Sequence, residues 1–393
     1  MTDELATYPT LAAAQAATPA TAPETILLLG YLNAGDGGRA YYRNYGQTPP
    51  PLTQGRFSLV AGGVTTWYLL DEQTPNELMF GAVAGASDAA RTAAINNLMG
   101  FCRVITPCRK AMIVGSHTIT STITVYSGLV VEFACPYAST GAFLTKGFNG
   151  DMISLGASAK LIGCRLVGNG ANFTGRGIVI SSGTNQILVD PDIQGMEGPC
   201  LEFTVEGAGS RFKCLGGIMA RQSTTAPAIV GPAVEAATTG FRHFFATHGL
   251  GQPLIDFKAG NYFTMVACAG GGFIFSPNSQ RVLLTNCRVA AATTVLGNQH
   301  VFEGNAFGST VTFASGSFGC RFSRTNLSAG VINAAAEVTN VIESPGSIPV
   351  LDPPSANPGT ITGQASIYVD AADGDLKIRF ADGVTKTIVT DAA

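Results

Sequence analysis

Charge is what this chain has least of. Asp, Glu, Lys and Arg make up 12% of its 393 residues, against about 25% in an average soluble domain. So few charges cannot cover a large surface. The apolar residues, 46% of the chain, must be buried inside the fold or between subunits. Long apolar runs are missing too. The strongest candidate, Ile26-Leu27-Leu28-Leu29, stops at Gly30, well short of the roughly 18 residues that span a bilayer. Membrane insertion is therefore not expected. A formal net charge of −3 and the lack of a basic stripe exclude nucleic acid as a partner. The opening Met1-Thr2-Asp3-Glu4-Leu5 is acidic and has no basic region leading into an apolar core, so no secretory signal is expected.

Chemical motifs are equally scarce. The nine cysteines form no CxxC and no Cys/His metal spacing. They sit in apolar runs such as Ile162-Gly163-Cys164 and read as reduced, buried, small hydrophobes. There is no nucleophile elbow, phosphate-cradling loop or metal-ligand cluster, so no cofactor is expected. Gly35-Asp36-Gly37-Gly38 is a turn, because no βαβ context follows it.

What the chain does have is glycine, 48 residues of it, and short β-branched or aromatic runs set between Gly, Asn and Ser. Residues 1–77 read as a small N-terminal module. It holds a short helix over 11–17, a strand at Ile26 to Leu29 and another at Thr66 to Leu70. Over 78–100 a strand, Leu78 to Ala82, leads through a capped loop into one amphipathic helix, with Ser87 or Asp88 as N-cap. From there to residue 343 only strands are expected. Five fragments recur, Phe245-Ala-Thr-His248, Met265-Val-Ala267, Leu284-Thr-Asn286, Phe302-Glu-Gly-Asn305 and Ser323-Arg-Thr-Asn326. Their last residues are 19, 19, 19 and 21 positions apart. A helix-free period of this size fits one coil of a parallel β-helix, whose coils stack about 4.8 Å apart. Asn286, Asn305 and Asn326 would then form part of an Asn ladder at a sharp turn. Residues 344–360 are a Pro-rich linker, and 361–393 a three-stranded antiparallel meander with turns at Asp373-Gly374 and Asp382-Gly383. The fold class is thus all-β, a right-handed parallel β-helix with an N-terminal module and a C-terminal meander.

The stretch Leu78-Met79-Phe80-Gly81-Ala82 followed by Asp88-Ala89-Ala90-Arg91-Thr92-Ala93-Ala94-Ile95 resembles the opening of pectate-lyase-superfamily β-helices in phage tailspikes. Met79 departs from it, standing where Asp is common. Gly30-Tyr31…Tyr41-Tyr42 is similar to the module that often precedes that opening, and Gly374 to Gly383 to terminal strands of phage fibres. The resemblance implies a homotrimer on a virion, attached to a tail or capsid protein through residues 1–77. Its β-helix would face host capsular polysaccharide or lipopolysaccharide, binding it with or without cleavage. The alternative is a secreted or prophage-encoded β-helix polysaccharide lyase or adhesin.

Glycan hydrolysis needs paired carboxylates, and elimination needs a base beside a cation. The best local carboxylates are Asp190 and Asp192, with Glu197 close behind. In an extended segment, residues i and i+2 lie roughly 6.5–7 Å apart on one face, within the inverting range. Asp-Pro-Asp is equally a turn between strands. Arg242, His243, His248 and Tyr262 are the candidates for glycan binding, or for a lyase site with a neutral His as base.

Overall fold

The computed structural model describes residues 5–104, 110–134, 141–204, 211–223, 225–232, 243–249, 253–258, 263–323, 325–328, 331–333, 340–342, 366–370, 375–380 and 382–389. The 344–360 linker lies outside them.

At the N-terminus, strands Leu5–Tyr8, Thr25–Leu28, Ala40–Gly46, Arg56–Ala61 and Val64–Leu70 form a five-stranded sheet. Helix α1 (Leu11–Ala16) packs beside it, with the Thr10 hydroxyl accepting from the Ala13 N–H. The Gly35-Asp36-Gly37-Gly38 turn is built around the Asp36 carboxylate. It accepts from the backbone N–H groups of Tyr31, Leu32, Asn33 and Gly38 at 2.8–3.0 Å. Burial pushes the Asp36 pKa up, but the four N–H donors outweigh it and hold it below the usual carboxylate value.

The expected strand at 78–82 is a 3₁₀ turn, Glu77–Phe80. Asn76 accepts from the N–H groups of Leu78 and Met79, and Gly81 closes the turn at φ 104°. Glu77 is fully buried and decides the matter. Its carboxylate accepts from the Val114 and Gly115 N–H groups and lies 3.0 Å from His117 Nε2. An extended 77–80 would leave those donors unpaired. Helix α2 (Asp88–Val104) runs past the expected end at 100 and buries Ile95, Leu98, Met99, Phe101 and Cys102. Its polar side chains satisfy the first coil: Thr92 accepts from the Thr120 N–H, and Asn96 bonds both the Thr124 N–H and the Thr122 carbonyl. The open end of the stack is thereby covered.

The stack itself is a parallel β-helix. Each coil gives the long sheet two short strands, such as Lys160–Ile162 and Arg165–Val167, and a second sheet one strand, such as Ile178–Ile180. Among the described residues the long sheet has 18 strands, and its neighbours within the stack pair in parallel. Val130, Lys160, Ile187, Lys213 and Phe244 are in register at intervals of 30, 27, 26 and 31 residues. Thr264, Leu283, Val301, Arg321 and Val341 continue the column at 20, 19, 18, 20 and 20.

The ladder is offset from the expected one. Thr247, Cys268, Cys287, Asn305 and Asn326 stack at the inner corner. Cys268 Sγ accepts from the Thr247 N–H, Asn305 Oδ1 from the Cys287 N–H and Asn326 Oδ1 from the Asn305 N–H. Asn286 stands one residue outside, over Gly304, at φ 53°. The cause is coil length: Leu284 to Phe302 spans 18 residues, so counting 19 slips one position. The seven described cysteines are buried and form no disulfide with one another. Strands Ser366–Val369, Leu376–Arg379 and Thr385–Val389 form the C-terminal antiparallel sheet. No helix among the described residues is long and apolar enough to cross a membrane.

Candidate functional site

Two residues before six of the first strands of the long sheet, the chain turns through the left-handed region. Ser158, Asn185, Arg211, Arg281, Gln299 and Gly319 occupy this turn at φ 52–64°. A non-glycine residue pays about 1–2 kcal/mol for that conformation, and its recurrence marks it as a property of the coil. The turn residue is followed by a buried position, Ala159, Gln186, Phe212, Val282, His300 or Cys320. The next residue faces outward.

This geometry builds a groove of about 590 Å³ across consecutive coils. Ile187, Lys213, Phe244 and Thr264, in register on the outer face, form its floor. The turn residues Asn185 and Arg211 form its wall, with Phe212 behind them. Asn185, Arg211 and Lys213 are exposed, while Ile187, Phe244 and Thr264 are half-buried. An aromatic ring, amide and cationic donors and a hydroxyl thus converge in one concavity, a set that can stack on and hydrogen-bond an extended polar ligand.

A second polar cluster lies on the other sheet. The Arg176 guanidinium grips Asp151 with two bonds of 2.7 and 2.8 Å and reaches Glu202 at 3.4 Å. Burial pushes the Asp151 pKa up, but the hydrogen bonds and charge of Arg176 hold it below the usual carboxylate value. Nearby, the Lys146 Nζ is buried and has no hydrogen-bond partner among the described residues. Burial lowers its pKa, against the pull of Asp151 and Glu197. Asp256, one strand further along than Val230 from Glu202, has its pKa raised by burial. Among the described residues no three His, Cys, Asp or Glu side chains gather as metal ligands.

The sequence-predicted residues fall as follows. Asp190 sits at φ 47° on the corner that Gly163 and Gly216 occupy in the adjacent coils. Asp190 is therefore not extended and stands outside the strand that Asp192 opens. A Cβ on Gly216 would lie 2.1 Å from Asp190 Oδ1, so the corner leaves little space above that carboxylate. Asp192 opens the strand Asp192–Met196, 3.4 Å from Arg165 Nε. His248 is exposed in the same outward column, one step beyond Ile218, so it lies about 10 Å from Asp192 by coil spacing. Glu197 is exposed on the bend that follows, where Arg221 Nε donates to its backbone carbonyl at 3.1 Å. His243 lies in the strand His243–Gly249, in register with Phe263. Arg242 and Tyr262 lie outside the described residues. The groove residues Asn185, Arg211, Lys213 and Phe244 escaped the sequence reading because coils of 26 and 31 residues share no fixed period.

Parallel coils under a helical cap make a β-helix, a fold that the chain shares with phage tailspikes. The tailspike of Acinetobacter phage vB_ApiP_P1 is similar over 93% of this chain and 79% of its own, at 12% identity and a TM-score of 0.54. The tailspike gp49 of Acinetobacter baumannii bacteriophage Fri1, a capsular polysaccharide depolymerase, aligns over 95% and 81% at 11% identity and a TM-score of 0.47. ORF18 of Geobacillus virus E2 aligns over 99% of both chains at 11% identity and 0.44. No family model matches the chain, and no curated protein matches its sequence.

Proposed function

We propose that this chain is the subunit of a phage-like virion spike that recognises host cell-surface polysaccharide through the groove at Asn185, Arg211, Lys213 and Phe244. The groove carries the reading: an aromatic platform beside amide and cationic donors is the chemistry that holds sugar rings. The tailspike-type fold supports it. Residues 1–77 attach the spike to the tail or capsid, and the subunit works as a homotrimer. Support for assembly comes from exposed large apolar side chains near the C-terminal end, Phe318, Leu327, Val341, Val384 and Ile388, which a subunit interface would cover.

The test is incubation of the purified protein with capsular and lipopolysaccharide preparations. Binding that Phe244→Ala weakens about tenfold supports the reading, and shortened chains would add depolymerase activity to it. Full binding by the Phe244→Ala variant would refute recognition at the groove. A chain lacking 361–393 is expected to scatter light as a monomer, and an intact trimer would remove the tail from assembly.

A further inference from the structure

We infer that the groove selects an acidic glycan, one whose sugars carry carboxylates, and that Arg211 and Lys213 read that charge. The inference rests on the recognition reading above and names its substrate class.

The argument is one of unpaired charge. The chain is acidic overall, at −3, yet both charged residues lining the groove are cations. Three other cations on the coils are held by carboxylates: Lys110 by Glu132 at 2.7 Å, Arg165 by Asp192 at 3.4 Å, and Arg176 by Asp151 at 2.7 Å. Arg211 and Lys213 form no ion pair with any described residue. In a chain so poor in charge, two cations converge on one concavity whose lining holds no carboxylate, a pairing suited to an anion.

Position adds to this. Arg211 is on the turn wall and Lys213 on the strand floor, so they address the groove from two sides. Asn185 lies one coil below Arg211 on the same wall, and its amide can hold a hydroxyl next to the charged group. Phe244 lies one coil above Lys213 in register, about 4.8 Å along the axis. A ring stacked on Phe244 therefore places the carboxylate of the neighbouring sugar over the two cations. A guanidinium takes a carboxylate with two parallel bonds, while an ammonium acts as a point charge. Together they favour a uronate over a neutral sugar of the same shape. Raising the salt weakens this contribution, because the cations are exposed.

The experiment uses the full chain and a panel of uronate-containing capsular polysaccharides, each paired with its form in which the carboxyls are reduced to primary alcohols. The acidic form is expected to bind at least about tenfold more tightly, with the gap closing as salt rises. The double variant Arg211→Gln with Lys213→Gln should bind the two forms equally, and keep the circular dichroism and oligomeric state of the parent. Equal binding of both forms overturns the inference while polysaccharide recognition stands. So does a double variant that discriminates as well as the parent, or one that changes the oligomer and leaves glycan binding intact. Binding of neither form defeats the recognition reading itself.

Discussion

The middle coils and the later coils are built from the same parts with different results. Between Val130 and Phe244 a coil takes 26–31 residues; beyond Phe244 it takes 18–20. Apart from Lys213–Arg221 and His243–Gly249, strands span two to five residues in both, so most of the extra residues go into the turns. The wide coils have a largely aliphatic interior, as at Leu144, Leu161, Leu166, Leu188 and Ile193, and carry the ion pairs on their outside. The narrow coils have a ring-filled interior, with Phe257, Phe263, Phe275, Phe302, Phe313 and Phe322 in contact along the axis. Their corner is locked by the Cys and Asn ladder. Narrow coils keep a near-constant register from one turn of the stack to the next; wide coils relax that order and gain surface relief. The groove lies where one gives way to the other, from Asn185 to Thr264.

If rigidity belongs to the narrow coils, the largest loss should come from their ring stack. Phe302 contacts the rings of Phe275, Phe307, Phe313 and Phe322 at 5.8–6.3 Å between centroids. Phe302→Ala should cost about 4 kcal/mol, read as a fall in the urea midpoint. The same variant should leave glycan affinity unchanged below that midpoint. A matching loss of affinity would show that the two regions are not separable.

The ladder comes next. Asn305 is buried, accepts from the Cys287 N–H and donates to the Leu284 carbonyl and to Asn326 Oδ1. Asn305→Ala takes the side-chain partner from the Cys287 N–H and the Leu284 carbonyl in a dry corner, while Asn326 Oδ1 keeps the Asn305 N–H, at about 3 kcal/mol. Asn286→Ala should cost much less, since Asn286 stands outside the ladder; equal costs would restore the ladder expected from spacing.

A pH profile sharpens the comparison further. His300 is fully buried in the narrow coils. Its Nδ1 accepts from the Val282 N–H, and its Nε2 donates to the Leu296 carbonyl at 2.8 Å. Burial pushes its pKa down to about 4, against a weaker upward pull from the Leu296 carbonyl. The folded state therefore resists a proton that the unfolded chain takes up near the ordinary value of about 6.5. His300 gives its full stabilisation above that value, and the contribution fades as pH falls towards 4. The loss is about 3 kcal/mol over this window. His300→Gln should flatten the slope of the urea midpoint between pH 7 and 4. An unchanged slope would place the acid sensitivity elsewhere.

Legibility followed the same division. The narrow coils announced themselves, because Met265, Leu284, Phe302 and Phe322 recur at nearly constant spacing. Even there, one 18-residue coil moved the ladder from Asn286 to Cys287. The cap at Asp88 was readable from Ser87 and the helical spacing, whereas Glu77 was not, since its donors Val114 and Gly115 lie far along the chain. In the wide coils spacing carries no register, so Arg211, Lys213 and Phe244 could not be placed on one face from the sequence. Asp190 and Asp192 were noticed as charges close in sequence, while the backbone between them turns.

The smallest effect belongs to Asp190, and it decides what that turn is for. At φ 47° the residue is in the left-handed region, where Asn and Asp are tolerated far better than β-branched residues. If the corner only needs that conformation, Asp190→Asn should shift stability by less than about 0.5 kcal/mol. Asp190→Val, similar in volume but β-branched, should cost about 1–2 kcal/mol. Glycan binding and any cleavage should be unchanged in the Asn variant, because the corner holds the carboxylate against the Gly216 backbone. The reverse pattern, a stable Asn variant that no longer cuts a polysaccharide the parent cuts, would make the carboxylate a working group. The wide coils would then carry chemistry as well as relief.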